Sequence, residues 1–222
     1  MSSAQVTIAP PAEMAEPPGP DAVVGFFGKI PARGDFVRAG LPRAFTDPWD
    51  TWLQNAIAGS RAILGARWLP SWMEAPIWHF ILPAGHCGPT PVLGLWLPSV
   101  DAAGRHFPLT LARLGALPAN QAAWLAAAET IGLDAIQDDL TPDELMRRLA
   151  APFRTHPDGE AANAEDPLAT WWTTGSPFVP ATRLSLPALP DAEIFAAMLC
   201  AVPQEAAETQ SDIPPAAGGV RE

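Results

Sequence analysis

Between Ile77 and Leu114 three apolar runs follow one another too closely for any helix to join them. IWHFIL (Ile77–Leu82), VLGLWL (Val92–Leu97) and FPLTLARL (Phe107–Leu114) are each of strand length, and nine and nine residues separate them. A parallel pairing needs a crossover of about a dozen residues or more, so these runs are expected to pair antiparallel, as a meander. Pro83, Pro89, Pro91 and Pro98 fence the runs. A proline has no N–H to give to a ladder, so it marks strand ends. That punctuation recurs along the chain: 27 of the 222 residues are proline, well above the usual ~5%.

The flanking segments supply the other elements. AVVGFFG (Ala22–Gly28) reads as a further buried strand ending at glycine, followed by a loop, KIPARGDFVRAGLPR. A helix is expected next, with Asp47 as its N-cap and Pro48 in the first helical position. Trp49, Trp52, Leu53, Ala56, Ile57, Ser60 and Leu64 then form one largely apolar stripe, and Gly65 stops the helix. Asn120 caps a second long helix running to about Asp138, and Thr141-Pro142-Asp143-Glu144 fits a capping box that opens a short third one. Pro152 to Pro167 reads as an acidic loop, TWWTTG and TRLSL as edge strands, and Asp191 as the start of a last short helix. In Trp171-Trp172 one ring must point away from the main core, because neighbours on a strand face opposite ways. Interleaved strands and helices predict an α/β fold, with helices on both faces of one mixed, largely antiparallel central sheet.

Residues 1–21 are rich in Pro, Ala and Glu and read as a flexible leader, and residues 203–222 as a disordered tail. Residues 22–202 are then a single domain. With 48% hydrophobic residues and a mean hydropathy of +0.09, the chain has material for a sizeable core. It holds no apolar run of the ~18 residues that a spanning helix needs. The first residues lack the basic and apolar regions of a secretory signal, so a cytoplasmic location is expected. Cys87 and Cys200 are expected to be reduced thiols.

The net charge of −11 is unevenly spread. Val23 to Gly115 holds eight basic and five acidic residues, whereas Glu129 to Asp166 holds three and ten. A slight positive balance with Arg and Asp interleaved gives no basic face for nucleic acid, and an anionic membrane surface would repel the chain. A protein partner is the expectation. The polar residues of the first half concentrate in GKIPARGDF (Gly28–Phe36) and PSVDAAGRHFPLT (Pro98–Thr110), two loops between apolar elements. Where they meet, Lys29, Arg33, Asp35, Asp101 and Arg105, with Arg38 nearby, would form a compact charged constellation. Such a cluster serves as a staple between loops, as a surface for a protein, or as clamps and base for an acidic or phosphorylated substrate. The enzymatic signatures fail. Gly25 and Gly28 are too close for a phosphate-binding loop and Ile30 follows the lysine. Ser99, Asp101 and His106 crowd one turn without a marked nucleophile. His79, His86, Cys87, His106, His156 and Cys200 show no standard metal-ligand spacing, so neither a metal nor another cofactor is expected. Arg33-Gly34-Asp35 is also the adhesion tripeptide, a match expected to be chance in a chain without export.

The ordered strings GFFGKIPARGDFVRAGLPRAF, DPWDTWLQ, APIWHFILPAGHCG and LPSVDAAGRHFPLTL, with the later TWWTTGSP, resemble the TagF (ImpM) family of bacterial type VI secretion accessory proteins. The resemblance runs from about Gly25 to Leu114. It implies a three-layer α/β/α sandwich and a cytoplasmic, post-translational repressor without enzymatic activity. It also implies binding to the forkhead-associated scaffold protein of that system. The matching motif residues are Gly28, Lys29, Pro31, Gly34 and Asp35 in the first loop, and Trp49, Asp50, Trp52 and Leu53 in the helix. In the second loop they are Pro98, Ser99, Asp101, Gly104, Arg105, Phe107 and Pro108. The family has no recognised catalytic residues, and each motif position has a role in either fold or docking.

Overall fold

Seven strands form one sheet in the order β2-β1-β5-β4-β3-β6-β7. The computed structural model describes residues 23–118, 120–155 and 167–201, with only the backbone of 152–155. The expected leader and tail, and most of the expected acidic loop, lie outside the described residues. The strands are β1 (Val23–Gly28), β2 (Val37–Ala39), β3 (Trp78–Leu82), β4 (Val92–Leu97), β5 (Leu109–Leu114), β6 (Ala169–Thr173) and β7 (Thr182–Leu186). The helices are α1 (Arg43–Leu64), α2 (Trp68–Met73), α3 (Gln121–Gln137), α4 (Pro142–Thr155) and α5 (Ala192–Leu199). Strands β3, β4 and β5 form the meander, with Trp78 opposite Trp96 and Leu97 opposite Leu109. Every pairing in the sheet is antiparallel. The sheet thus goes further than the largely antiparallel arrangement expected.

Alternation along the strands divides the core in two. Phe27, Phe80, Trp96, Trp171 and Leu114 face one way and pack with α1, α2 and α5. Phe26, Leu95, Leu97, Leu109 and Leu111 face the other way and pack with α3 and α4. Because successive side chains on a strand point to opposite sides, these two clusters place helices on both faces of the sheet. Indole N–H groups tie the first layer together. Trp49 donates to the Thr110 hydroxyl at 2.9 Å, Trp52 to the Pro190 carbonyl at 2.6 Å and Trp78 to the Met198 carbonyl at 3.0 Å.

Several local expectations are corrected. Helix α1 begins at Arg43 and not beyond Asp47, so Pro48 lies inside it. The missing N–H leaves the Ala44 carbonyl without its helical donor. Burial of Phe45, stacked on Trp49 at 5.3 Å, favours the extra turn. Residues 37–39, read as loop, pair with β1 as β2. Helix α2 was not expected. Helix α4 continues to Thr155, into the expected acidic loop. Strand β6 is an inner strand, paired with both β3 and β7; only β7 lies at an edge. The caps agree with the sequence: Asn120 accepts from the Ala123 N–H, Thr141 from Glu144 and Asp191 from Ile194.

Candidate functional site

The two charged loops meet beside the end of β1. Gly28 ends that strand with φ of +144°, and a Cβ there would overlap the Pro108 carbonyl. Glycine is what lets the first loop lie against the second. Ser99 then donates its hydroxyl to the Lys29 carbonyl at 2.8 Å, and the Ala102 N–H donates to the Arg33 carbonyl at 3.0 Å. Phe36 stacks on Phe27 at 5.7 Å and meets Phe107 edge-on at 4.8 Å, so aromatic rings fill the space between the loops.

Asp101 is the centre of the junction. Its Oδ1 accepts from the backbone N–H groups of Ala103 and Arg105, each at 2.9 Å, which closes the second loop as a tight turn. Its Oδ2 accepts from Lys29 Nζ at 2.6 Å and Arg105 Nε at 2.7 Å. Arg105 also donates to the Gly34 carbonyl and lies 3.9 Å from Asp35. Burial would raise the Asp101 pKa, but Lys29, the Arg105 backbone and guanidinium and the Ala103 N–H together hold it well below the usual carboxylate range. A carboxylate held so firmly in its ionised form is a poor proton acceptor at neutral pH. His106, in the same loop, is held below the ordinary histidine value by burial and by the nearby Arg61, against the pull of Asp101.

The expected constellation is therefore assembled, but its members divide. Lys29 and Asp101 are 5% and 3% exposed and lie inside the junction. Arg33, Asp35 and Arg38 are exposed, and with Phe36 and Pro142 they line an open groove of about 370 Å³. Arg33 makes no ion pair among the described residues; its guanidinium reaches only the Ala32 carbonyl at 3.5 Å. Phe36 is 47% exposed, an aromatic surface that the residue pattern did not single out. Trp49, Trp52, Ser99 and Phe107 serve packing and loop closure. Asp50 accepts from Gln54 at 2.8 Å along the helix. Arg113 is another group that sequence reading missed: it is fully buried on β5 and donates to the Ala116 carbonyl at 3.3 Å, and burial lowers its pKa to about 10. Cys87 and Cys200 are free thiols, and burial raises Cys87 to about 12. Among the described residues no three His, Cys, Asp or Glu side chains are placed to hold a metal ion. No described helix is long and apolar enough to cross a membrane.

Both loops, the helix between them, strands β2 to β5 and most of β1 fall within residues 25–151, and that span matches the TagF N-terminal domain, type VI secretion system-associated. The chain belongs to the TagF N-terminal domain family. A solved structure, PA0076 from Pseudomonas aeruginosa PAO1, is similar at 26% identity with a TM-score of 0.63. The likeness covers 89% of this chain and 100% of that one. A comparison with curated proteins gives no match. The TagF span contains every charged residue of the loop junction, whereas β6, β7 and α5 lie beyond it.

Proposed function

We propose that this chain is a cytoplasmic, post-translational negative regulator of type VI secretion that acts by binding another protein and not by catalysis. The partner is the forkhead-associated scaffold of the secretion system, as the family resemblance implies. One observation carries the placement of the interface: the junction buries Lys29 and Asp101 and leaves Arg33, Asp35, Phe36 and Arg38 on its outer side. Arginine and large aromatic residues at the centre of an interface supply most of its binding energy. Here a rigid aromatic and salt-bridged base presents them, which lowers the ordering cost on association. Asp101, the most enclosed acid of the cluster, is committed to four donors, so the cluster serves recognition better than proton transfer.

The test is charge reversal of Arg33 and Arg38 together. Both are exposed, so Arg33→Glu with Arg38→Glu leaves the melting temperature and circular dichroism unchanged. Binding to the purified scaffold weakens by roughly thirtyfold or more, as for a pair of central contacts. Arg105 is the wrong choice for this experiment, because it also holds Asp101. A folded double variant that retains the scaffold at the original affinity refutes this interface.

A further inference from the structure

The opposite edge of the sheet carries a second surface. Helices α3 and α4 pack on β1, β2, β4 and β5. Between the outer flank of α3 and strands β3, β6 and β7 runs an open groove of about 450 Å³. Its floor is a cross-strand row set by register, in which His79 lies opposite Trp172 and Trp172 opposite Arg183. His79, 7% exposed, bonds Glu129 of α3 through Nε2 at 2.9 Å. The Trp172 ring stacks on the imidazole at 5.5 Å, and the Arg183 guanidinium lies 5.6 Å from the Trp172 ring. Among the described residues no carboxylate pairs with Arg183. Strand β7 pairs only with β6 there, so its outward N–H and C=O groups have no described strand beside them. Its side chains alternate: Leu184 and Leu186 pack against the helix-covered core, while Arg183 and Ser185 are exposed.

We propose that β7 and this groove receive an extended acidic segment of a partner protein, added as an eighth strand. Strand addition supplies main-chain hydrogen bonds along the open edge, and alternate side chains supply the choice of partner. On one side of such a strand, apolar residues continue the Leu184 and Leu186 rows. On the other, an acidic residue falls opposite Arg183, where an opposite-charge cross-strand pair is favourable. Glu129, the acid of the groove, bonds His79 on β3, two strands from β7 and so three from the added strand; at about 4.8 Å per strand that is more than a Debye length away. Trp172 and Arg183 lie outside the TagF-matched span and at the far edge of the sheet from the charged loops. The inference therefore does not depend on the scaffold interface proposed above.

The experiment titrates the full chain with two blocked seven-residue peptides, one alternating Val and Glu and one alternating Val and Lys, followed by amide NMR. The Glu peptide is expected to bind about fivefold more tightly, with shifts confined to β7, β6 and the exposed flank of α3. Arg183→Glu reverses that preference. Ala126→Trp, which fills the groove from an exposed position on α3, weakens both peptides. Equal affinity for the two peptides, no binding, or a preference that survives Arg183→Glu overturns the proposal. So does a dimer in sedimentation at the same concentrations that Arg183→Glu dissolves, since a second copy would then be the occupant of the edge.

Discussion

Asp101 makes four hydrogen bonds from a position where water scarcely reaches, and this fixes how the loop junction responds to pH. Its folded pKa lies below the value of about 3.9 expected in the unfolded chain. A depressed carboxylate pKa contributes stability that is fully present above the unfolded value and is lost as pH falls toward the folded one. Asp101→Asn does not titrate and leaves Lys29 buried without its counter-charge, so it melts lower than the native chain at pH 7. The melting-temperature gap stays constant down to about pH 5 and narrows below about pH 4; a gap independent of pH would assign the junction's stability elsewhere. Gly28 is the second sensitive position. Gly28→Ala costs about 1–3 kcal/mol from its positive φ alone, and the Pro108 carbonyl must also move. Chemical denaturation reads this loss. That the two loops carry matching Arg, Asp and Gly residues was legible in the sequence. Which cation is buried was not: Lys29 and Arg33 look alike as residue types, and their difference is set by Asp101, 72 positions away from Lys29.

At the scale of elements, stop and start signals with a single local mechanism transferred well. Asp191 caps α5 through the Ile194 N–H at 2.8 Å, as its position before an apolar run predicts. Helix α5 packs along α1 and accepts the Trp78 indole through Met198, so fraying its first turn loosens the whole first layer. Asp191→Ala should therefore cost about 1 kcal/mol, read as a lower denaturant midpoint with an unchanged slope. An unchanged midpoint would mean that packing alone holds the helix. The signals that misled were those with two possible readings. Pro48 marks a first helical turn in most sequences, yet Phe45 gains enough by burial to extend α1 through it. Gly88 fits closely against the Ala44 carbonyl that the proline deprives of its donor; a Cβ there would stand 2.9 Å from that oxygen. Strand β2 has three residues, too few for any periodicity to register. The inner place of β6 depends on pairing with β3, a non-local choice that its own five residues do not encode.

For the molecule as a whole, the sheet order separates the two proposed surfaces. The charged loops lie at the β2–β1 side and Arg183 on the opposite edge strand, so most of a seven-strand sheet stands between them. At about 4.8 Å between neighbouring strands, the two edges are roughly 29 Å apart. Exposed charges that far apart are screened from one another beyond a Debye length of about 8 Å at physiological salt. Substitutions separated by more than about 10 Å with no shared partner act additively. It follows that Arg33→Glu with Arg38→Glu should leave the affinity and charge preference of β7 for the Val/Glu peptide unchanged. Arg183→Glu should likewise leave scaffold binding unchanged, and the triple variant should show both losses at their separate sizes. A triple variant with a smaller loss than the two combined would mean that one partner spans both edges or that the sheet couples them. The Ala126→Trp variant distinguishes these, because filling the groove blocks a spanning partner while leaving the sheet and both sets of arginines in place.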